Sequence, residues 1–388
     1  MSQKLLYHNE VLKRFVREGL HITVQPPLLI INHIPYVNSD RTIEYGRIVS
    51  LLNLSGDVVV SPSTHVVYFI GNHPCDKDGK EISQIRHSGQ NQNIHGLTVN
   101  RSFSNKNDHS YENEFEKVIN YVRIITAEAT AVDQTVTPYI YKQPELFEDE
   151  PNYVFTYLDM NASRANIDVI NNKLSNQKIG IIGLGGSGSY ILEFVSKSPV
   201  SEIHLFDGDK FNTHNAFRSP GAASIEELNQ NTFKTEYQKN RYSKMHKFIF
   251  SHPEYINEKN LSSLDALDFI FISMDTGPDK RKIVEYLCSK LIPFIDSGIS
   301  VTAEGDQLTS TIRITFVHDQ SDSIWENRLD FNGGNPEYRT NIQIAELNAQ
   351  AAILSVIKWK KHYGFYKDDN KSDYIHLIVE AEELIHEN

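Results

Sequence analysis

Glycines and an acidic residue with the spacing of a nucleotide-binding turn lie in the middle of the chain. The stretch KIGIIGLGGSGSYILEF begins at Lys178 and contains Gly183, Gly185 and Gly188 in the pattern G-x-G-x-x-G, and Asp207 ends the next predicted strand. Backbone N–H groups at such a turn can bind a phosphate, and the acidic residue can bind a ribose hydroxyl. A dinucleotide and other ribose nucleotides fit this pattern equally well, and a turn without a ligand is the remaining alternative.

Charged residues further along the chain distinguish between these ligands. Arg218 and Lys234 follow the ribose-binding strand, Asp275 follows the later strand DFIFIS, and Arg281 lies six residues beyond it. A nicotinamide dinucleotide needs no further cations, whereas ATP carries about four negative charges and usually reacts with Mg²⁺. Alone, Arg218 could form a surface ion pair, Lys234 could be a solvated helix residue, and Asp275 could cap a helix. The ordered set favours ATP with Mg²⁺.

The elements around these residues alternate between strand and helix. From Asn161 onward, apolar runs of strand length are separated by helical segments, which predicts a mostly parallel sheet with helices on both faces. QLTSTIRITFV alternates with period two and predicts an added antiparallel strand, and YRTNIQIAELNAQAAILSVIKWKKHYG predicts a long helix. We therefore expect an α/β, Rossmann-like domain over residues 161–388.

The beginning of the chain predicts a smaller domain. Residues 1–140 contain three segments rich in β-branched and aromatic residues, followed by ENEFEKVINYVRIITAEATAV with apolar residues at helical spacing. This pattern indicates an α+β domain. The polar, proline-containing stretch YKQPELFEDEPNY predicts a linker over residues 141–160.

Composition limits the class of protein. The chain has 388 residues, a net charge of −12 and only two cysteines. The negative charge disfavours nucleic acid as a main ligand, and two cysteines exclude a disulfide scaffold and a four-cysteine zinc site. The N-terminal sequence does not have the apolar core of a signal peptide, and no apolar run approaches the roughly 20 residues of a membrane span. We expect a cytoplasmic protein with no membrane partner.

From residue 161 to about 365, the sequence resembles the ThiF/MoeB/HesA adenylating enzymes, the group that contains the ubiquitin-activating enzymes. The motifs that carry the resemblance, in chain order, are GLGGSGS, DGD, HNAFR, Lys234, MDTGPDKR and PFIDSG. The resemblance implies a Rossmann-like adenylation domain that uses ATP and Mg²⁺ to convert a substrate carboxylate into an acyl adenylate. The first 140 residues resemble a less-characterised domain that precedes ThiF modules in some bacterial chains.

The resemblance also implies roles for individual residues. The residues that would wrap the nucleotide phosphates are Gly183, Gly185, Gly186, Gly188 and Ser189. Asp207 would hold the ribose, with Asp209 close by. The residues that would bind the triphosphate are Asn215, Arg218 and Lys234, and Asp275 would position Mg²⁺. Arg164, in NASRANI, would reach the γ-phosphate in the partner subunit's site, which implies a homodimer with two composite sites.

The cysteines depart from the pattern of the ubiquitin-activating members, which capture the acyl group on a cysteine. The segment after the last parallel strand, VHDQSDSIWENRLDFNGGNPEY, contains none. We interpret Cys288 as a core residue. Cys75, beside His73 in a polar turn, could be an exposed nucleophile, although a loop cysteine without a role is the favoured interpretation. Adenylation is therefore expected and a thioester step is not.

The leading hypothesis is activation of the C-terminus of a ubiquitin-like protein or peptide in a bacterial conjugation system, with a downstream conjugating protein as a further partner. A second hypothesis is adenylation of a small-molecule carboxylate or a short peptide. A third is a nucleotide-binding scaffold that has lost catalysis. A dehydrogenase leaves the cations unexplained. We expect the N-terminal domain to recruit the substrate or a downstream carrier.

Overall fold

The structure is a computed structural model that describes residues 5–6, 8–105, 111–146, 153–157, 159–165, 167–318, 325–329, 331 and 342–387. The chain divides into two compact units. Unit 1 comprises Met1–Tyr153 and Tyr157–Asp168, and unit 2 comprises Val154–Thr156 and Val169–Asn388.

Unit 1 is built on a seven-stranded sheet. Its helices are α1 (Glu10–Arg17), α2 (Glu114–Val132) and α3 (Met160–Ala165). Its strands are β1 (Ile22–Gln25), β2 (Leu28–Val37), β3 (Ile43–Leu51), β4 (Leu54–Ser55), β5 (Val58–Val59), β6 (Val66–Ile70), β7 (Arg86–Ser88), β8 (Gln92–Ile94), β9 (Leu97–Val99), β10 (Arg101–Ser104) and β11 (Glu145–Leu146). The sheet order is β11-β1-β2-β3-β6-β10-β7, antiparallel except for the parallel pair β1 and β11.

Helix α2 covers one face of this sheet, as its apolar spacing predicts. Asn113 caps the helix by accepting the backbone N–H of Glu116. The buried side chains of the helix, including Phe115, Val118 and Val122, join the main core of the unit. A smaller apolar cluster lies on the opposite face of the sheet, with side chains from the β8–β9 hairpin packed against it.

Unit 2 contains an eight-stranded sheet. The helices from residue 168 onward are α4 (Asp168–Asn171), α5 (Gly186–Val195), α6 (Thr213–Ala216), α7 (Ile225–Asn229), α8 (Lys234–Tyr242), α9 (Pro278–Lys290), α10 (Trp325–Arg328) and α11 (Ala345–His362). The strands are β12 (Lys178–Ile182), β13 (Glu202–Phe206), β14 (Ile249–His252), β15 (Phe269–Ile272), β16 (Phe294–Glu304), β17 (Gln307–Val317), β18 (Tyr374–Ile378) and β19 (Glu383–Glu387). The order is β14-β13-β12-β15-β16-β17-β18-β19, in which β12–β16 are parallel and the last three strands are antiparallel.

Both faces of the parallel sheet are buried, which explains the continuous apolar runs of its strands. Phe269 and Phe271 of β15 point into a core shared with α5 and α11. Ile270 and Ile272 of the same strand point into a second core shared with α9. The expected α/β, Rossmann-like domain and the separate, smaller α+β domain are therefore both confirmed.

Two features of the fold go beyond the sequence prediction. Strands β18 and β19, near the C-terminal end of the sequence, extend the sheet of unit 2 past the predicted strand β17. The short strand β11 lies inside the stretch that was expected to be a linker. None of the described helices combines the length and apolar composition that a membrane span requires.

Candidate functional site

A cavity of about 690 Å³ lies at the carboxyl ends of the parallel strands in unit 2. Its walls include residues that directly follow β12, β13 and β15, and residues from β16 and β17. Ligands of open α/β sheets bind at this edge, because loops diverge there and the following helices begin there. This cavity is the candidate functional site.

The glycine turn forms one wall of the cavity. Gly183 has φ +87°, and a Cβ there would lie 2.4 Å from the carbonyl oxygen of Ser273, so this position requires glycine. At Gly185, the N-cap of α5, a Cβ would meet no atom within 4 Å. Both glycines line the cavity, and α5 begins at Gly186 beside them. The helix therefore directs its unpaired N–H groups toward the cavity.

Asp207 holds the glycine turn to the end of β13. Its Oδ2 accepts the N–H of Leu184 at 2.7 Å, and its Oδ1 accepts the N–H of Asp209 at 2.8 Å. Because each carboxylate oxygen can accept two hydrogen bonds, Asp207 retains acceptor capacity toward the cavity, which it lines.

Lys234 is buried and paired with two carboxylates. Its side chain is 7 % exposed, and its Nζ lies 2.6 Å from Asp209 Oδ2 and 3.5 Å from Asp207 Oδ2. Tyr255 also donates a hydrogen bond to Asp209. Burial acts to raise the pKa of the Asp209 carboxyl, but the hydrogen bonds from Lys234 and Tyr255 outweigh it and hold the pKa below its usual value. The alternative of a solvated helix lysine is therefore wrong.

Arg218 lies half-buried in the cavity wall. Burial lowers the pKa of its guanidinium, whereas the carboxylates of Asp275, Asp209 and Asp207 act in the opposite direction. Its Nε has no hydrogen-bond partner among the residues that the structure describes. A buried cation facing several carboxylates is not a surface ion pair, and the free donor remains available to a ligand.

Asp275 lines the cavity in the loop between β15 and α9. The N-cap of α9 is Gly277, so the alternative of Asp275 as the cap is wrong. Arg281, the cation expected from this segment, points away: its side chain is 51 % exposed and lies 3.6 Å from Glu285. The cavity residue is its neighbour Lys280, whose Nζ lies 2.7 Å from Asp296 Oδ1.

The cavity residues that the sequence analysis missed include Lys280, Asp296 and Asn348. Lys280 forms a buried ion pair with Asp296, with the two side chains 4 % and 9 % exposed. Asn348 of α11 is also buried, and its Oδ1 accepts a hydrogen bond from Ser187 Oγ at 3.0 Å. The Nδ2 of Asn348 has no partner among the described residues, and a Cβ on Gly186 would lie 2.1 Å from it. Asn348 thus places a spare donor against the glycine turn.

Three of the expected site residues, Gly188, Ser189 and Asn215, are not among those that line the cavity. Gly188 and Ser189 are buried within α5, where Ser189 Oγ donates to the carbonyl of Gly186 at 2.6 Å. Asn215 is buried in α6, and its Oδ1 accepts the N–H of Asn212 at 2.9 Å in a capping box. Arg164 belongs to α3 in unit 1, and its side chain lies outside the described residues.

Neither cysteine has the environment of a reactive nucleophile. Cys75 is 1 % exposed, in contrast to the exposed position considered from the sequence, and its Sγ donates to the carbonyl of His73 at 3.4 Å. Cys288 packs against the core of unit 2 on the α9 side, as the sequence predicts. Burial raises the pKa of both thiols, which keeps them protonated near neutral pH.

The chain matches two protein-family models. Residues 10–160 match a domain of unknown function, DUF6791, and residues 157–326 match the ThiF family. No curated protein matches the sequence.

Solved structures with a similar fold include E. coli MccB and PaaA. MccB with AMPCPP and selenomethionine MccA is 21 % identical, with coverage of 59 % of this chain and 71 % of that chain and a TM-score of 0.45. PaaA is 16 % identical, and the match covers 71 % of this chain and 85 % of that chain with a TM-score of 0.46. E. coli MccB with MccA-N7isoASN is 18 % identical, with 72 % and 81 % covered and a TM-score of 0.47. The family match therefore shows that residues 157–326 of the chain are similar to the ThiF family.

Proposed function

We propose that the chain uses ATP to adenylate the C-terminal carboxylate of a ubiquitin-like protein or peptide, with release of pyrophosphate. The observation that carries the proposal is the single cavity in which a helix-starting glycine turn meets Arg218, Lys234, Lys280 and Asp275. The ThiF-family match supports an adenylyltransferase-type enzyme.

Among the described residues, the lining of the cavity combines cations that could face a triphosphate with carboxylates that could hold a metal ion. Beyond the three cations named above, Arg313 and Arg328 also line the cavity. The carboxylates that line it are Asp207, Asp209, Asp275, Asp279 and Asp296. Positive and negative groups are therefore equal in number, and a triphosphate of about four negative charges still requires a metal ion or a further cation.

Carboxylates at this position fit Mg²⁺. Mg²⁺ prefers oxygen ligands and in nucleotide enzymes is bound by one or two carboxylates together with substrate phosphates. No group of three or more potential metal-ligating side chains occurs among the described residues. Asp275 would hold it, and the ion would neutralise charge on the phosphates.

The residues of the cavity would divide between binding and positioning. The turn at Gly185 and Gly186 would receive phosphate oxygens on its backbone N–H groups, with the Nδ2 of Asn348 as an added donor. Asp207 would bind the ribose through its remaining acceptor capacity. Arg218 and Lys234 would bind the triphosphate, and for Lys234 this means exchanging carboxylate partners for phosphate oxygens. The buried residues that do not line the cavity would hold the lining residues in position; these are Gly188, Ser189 and Asn215.

The reaction needs positioning more than proton transfer. A substrate carboxylate oxygen attacks the α-phosphorus of ATP, the bond to the bridging oxygen breaks, and pyrophosphate leaves with the electron pair. The carboxylate is ionised near neutral pH, so it needs no general base. Mutual repulsion of the anions is the main obstacle, and fixed cations lower it without reorganisation at the moment of reaction.

The proposal ends at the acyl adenylate. Because both thiols are buried or half-buried with raised pKa values, the acyl group would pass directly to an acceptor, such as a downstream conjugating protein. A homodimer, in which Arg164 of each chain reaches the partner's γ-phosphate, is part of the same proposal. Unit 1 would recruit the substrate or a carrier.

Pyrophosphate exchange tests this function. The chain is mixed with ATP, Mg²⁺, radiolabelled pyrophosphate and peptides ending in glycine, and label entering ATP is measured. We expect peptide-dependent exchange that falls at least 100-fold in Asp275→Ala. Asp306→Ala is the matched control, because Asp306 is an exposed aspartate of the β16–β17 turn, and it should retain full exchange.

The same assay separates the alternatives. Exchange with small carboxylates but not with peptides would support the small-molecule hypothesis. ATP binding without exchange for any carboxylate would support a scaffold. Tight binding of NADH and none of ATP would contradict adenylation altogether.

A further inference from the structure

Unit 1 contains a second cavity, of about 600 Å³, which we call the arginine groove. It lies where β6 ends, between β3 and β10. The last pairs of β6 join Ile70 to Arg47 on one side and Phe69 to Arg101 on the other. Beyond these pairs, β6 no longer lies between β3 and β10. The gap between the two strands forms the groove, and Arg47 and Arg101 both line it.

The groove carries one excess positive charge in a chain whose net charge is −12. Arg47 is exposed and Arg101 is half-buried, and neither pairs with a carboxylate among the residues that the structure describes. The Nε of Arg101 is buried without a hydrogen-bond partner in the same part of the chain. Glu44 is the acidic residue of the groove lining.

Glu44 offsets the charge of one arginine, but its oxygens are engaged by neutral donors and it forms no ion pair with either arginine among the described residues. The Glu44 oxygens accept hydrogen bonds from the hydroxyl of Tyr36, from Asn38 Nδ2 at 2.8 Å and from Asn72 Nδ2 at 3.2 Å. These donors hold the pKa of the Glu44 carboxyl below its usual value, so the carboxyl stays ionised. The same hydrogen bonds fix the position of its side chain. The two guanidinium groups are left to attract an external anion.

Polar amides and glycines form much of the rest of the wall, together with Tyr36, Tyr45 and Ile70. Asn100 Oδ1 accepts the N–H of Gly71 at 3.0 Å, and Asn100 Nδ2 donates to Asn91 Oδ1 at 3.3 Å. These bonds hold the amides in fixed orientations. Gly89 has no side chain to cover Arg101, whose guanidinium lies 3.2 Å from where a Cβ would be. Such a wall allows a peptide backbone to approach closely and to find both donors and acceptors.

We propose that the arginine groove binds a peptide through a carboxylate, which the guanidinium groups of Arg47 and Arg101 receive. Planar guanidinium groups match carboxylates in bidentate geometry. One excess positive charge suits a carboxylate monoanion better than a phosphate near two negative charges. The amides suit the flanking peptide groups. This site is separate from the nucleotide cavity of unit 2, and the inference does not depend on adenylation.

Peptide binding to the full chain tests the inference. A fluorescent peptide, Ser-Ala-Ser-Gly-Gly with a free C-terminal carboxylate, is compared by anisotropy with the same peptide as its amide, without ATP. We expect the acid to bind at least tenfold more tightly. Arg47→Ala and Arg101→Lys should each weaken the acid about tenfold or more, because a hydrogen bond to a charged group contributes about 1.5–3 kcal/mol.

Matched variants assign the effect to the groove. Arg123→Ala removes an exposed arginine on α2 outside the groove and should change nothing. Arg101→Lys keeps the positive charge but removes the planar guanidinium group, and Arg47→Ala changes an exposed residue. We therefore expect neither variant to alter the thermal unfolding midpoint. The amide should bind all variants alike.

Several outcomes would overturn the inference. These are equal affinity for acid and amide, no binding of the acid, or groove variants indistinguishable from Arg123→Ala. If only Arg218→Ala weakened binding, the peptide would sit in unit 2, and the proposed adenylation would survive without the groove. Displacement of the peptide by inorganic phosphate but not by acetate would make phosphate the ligand. Conversely, groove binding with no pyrophosphate exchange would leave the groove intact and remove the proposed function.

Discussion

At the scale of single residues, the cavity of unit 2 is organised by two buried lysines that each pair with aspartates. Lys234 pairs with Asp209 and Asp207, and Lys280 pairs with Asp296. A buried ammonium group is costly unless it is paired, so these carboxylates compensate the two buried lysines and hold them in place. In the protein without a ligand, these ion pairs compensate the buried charges. A polyanionic ligand would give the lysines alternative partners.

Lys280 and its neighbour Arg281 provide a matched test of this arrangement. Lys280→Met leaves Asp296 buried and unpaired, and the free energy of unfolding of unit 2 should fall by about 3–5 kcal/mol. The double variant Lys280→Met/Asp296→Asn should recover most of that loss, yet bind ATP at least tenfold more weakly. Arg281→Met should change neither the free energy of unfolding nor the affinity for ATP. Stability is measured by urea unfolding, and ATP affinity by calorimetry.

A double variant with unchanged ATP affinity would mean that Lys280 serves only the fold. Full stability of Lys280→Met alone would contradict the description of the pair as buried and mutually dependent.

At the scale of elements, the strand–turn–helix unit formed by β12, the glycine turn and α5 determines the shape of the cavity. Gly183 is required by its positive φ and by the nearby carbonyl of Ser273. Gly188 allows α5 to approach the turn, because a Cβ there would lie 1.8 Å from the carbonyl oxygen of Gly183. Gly185 faces open space, so packing within the fold does not require glycine there.

Alanine substitutions at the two positions should therefore have different effects. Gly183→Ala should lower the free energy of unfolding by more than about 1 kcal/mol, because alanine is strained at this φ and collides with Ser273. Gly185→Ala should leave stability within about 0.5 kcal/mol of the original but weaken ATP binding at least tenfold, since its methyl group enters the cavity.

Thermal unfolding and ATP titration of both variants measure the difference. Normal ATP affinity in Gly185→Ala would show that phosphates do not contact this turn. Unchanged stability in Gly183→Ala would contradict the backbone geometry described for it.

At the scale of the whole molecule, the two units can be followed separately. The two tryptophans, Trp325 and Trp359, belong to unit 2, so intrinsic tryptophan fluorescence reports the unfolding of that unit alone. Trp359 of α11 is fully buried in the core against the sheet, and its Nε1 donates to Gln177 Oε1 at 3.0 Å. Its environment should change strongly when the core of unit 2 opens.

The stability of unit 2 should depend on pH through His246. This residue is fully buried, its Nε2 donates to the carbonyl of Val200 at 2.9 Å, and its Nδ1 accepts the N–H of Phe248 at 3.3 Å. Burial lowers the pKa of His246 from 6.5 to about 4. Between these values the unfolded chain binds the proton and the folded chain does not, so stability is full above pH 6.5 and is lost as pH falls toward 4.

His246→Gln isolates this contribution, because glutamine can donate and accept but does not titrate. The difference in free energy of unfolding between the original protein and the variant should be about 1.6 kcal/mol larger at pH 6.5 than at pH 5. Urea unfolding followed by tryptophan fluorescence at several pH values measures it. A difference that stays constant with pH would mean that His246 keeps its ordinary pKa in the folded state.

Local patterns in the sequence were sufficient for the architecture and for much of the cavity. Strands buried on both faces need continuous apolar runs, and the runs at β12, β13 and β15 lead directly into polar residues at the edge where ligands bind. The glycine turn, Asp207 and Asp275 could therefore be found from their positions in the chain, because each lies at the end of a recognisable strand.

Only the tertiary structure decided which side chains share the cavity. Neighbouring helix residues point about 100° apart, so whether Lys280 or Arg281 faces inward depends on how α9 packs. Asn348 reaches the turn from a helix some 160 residues away in sequence, and that contact exists only through packing of α11 against α5. The arginine groove likewise depends on where β6 ends between its neighbours. Spacing along the chain specifies elements and their ends, whereas contacts between distant elements arise only when their cores pack.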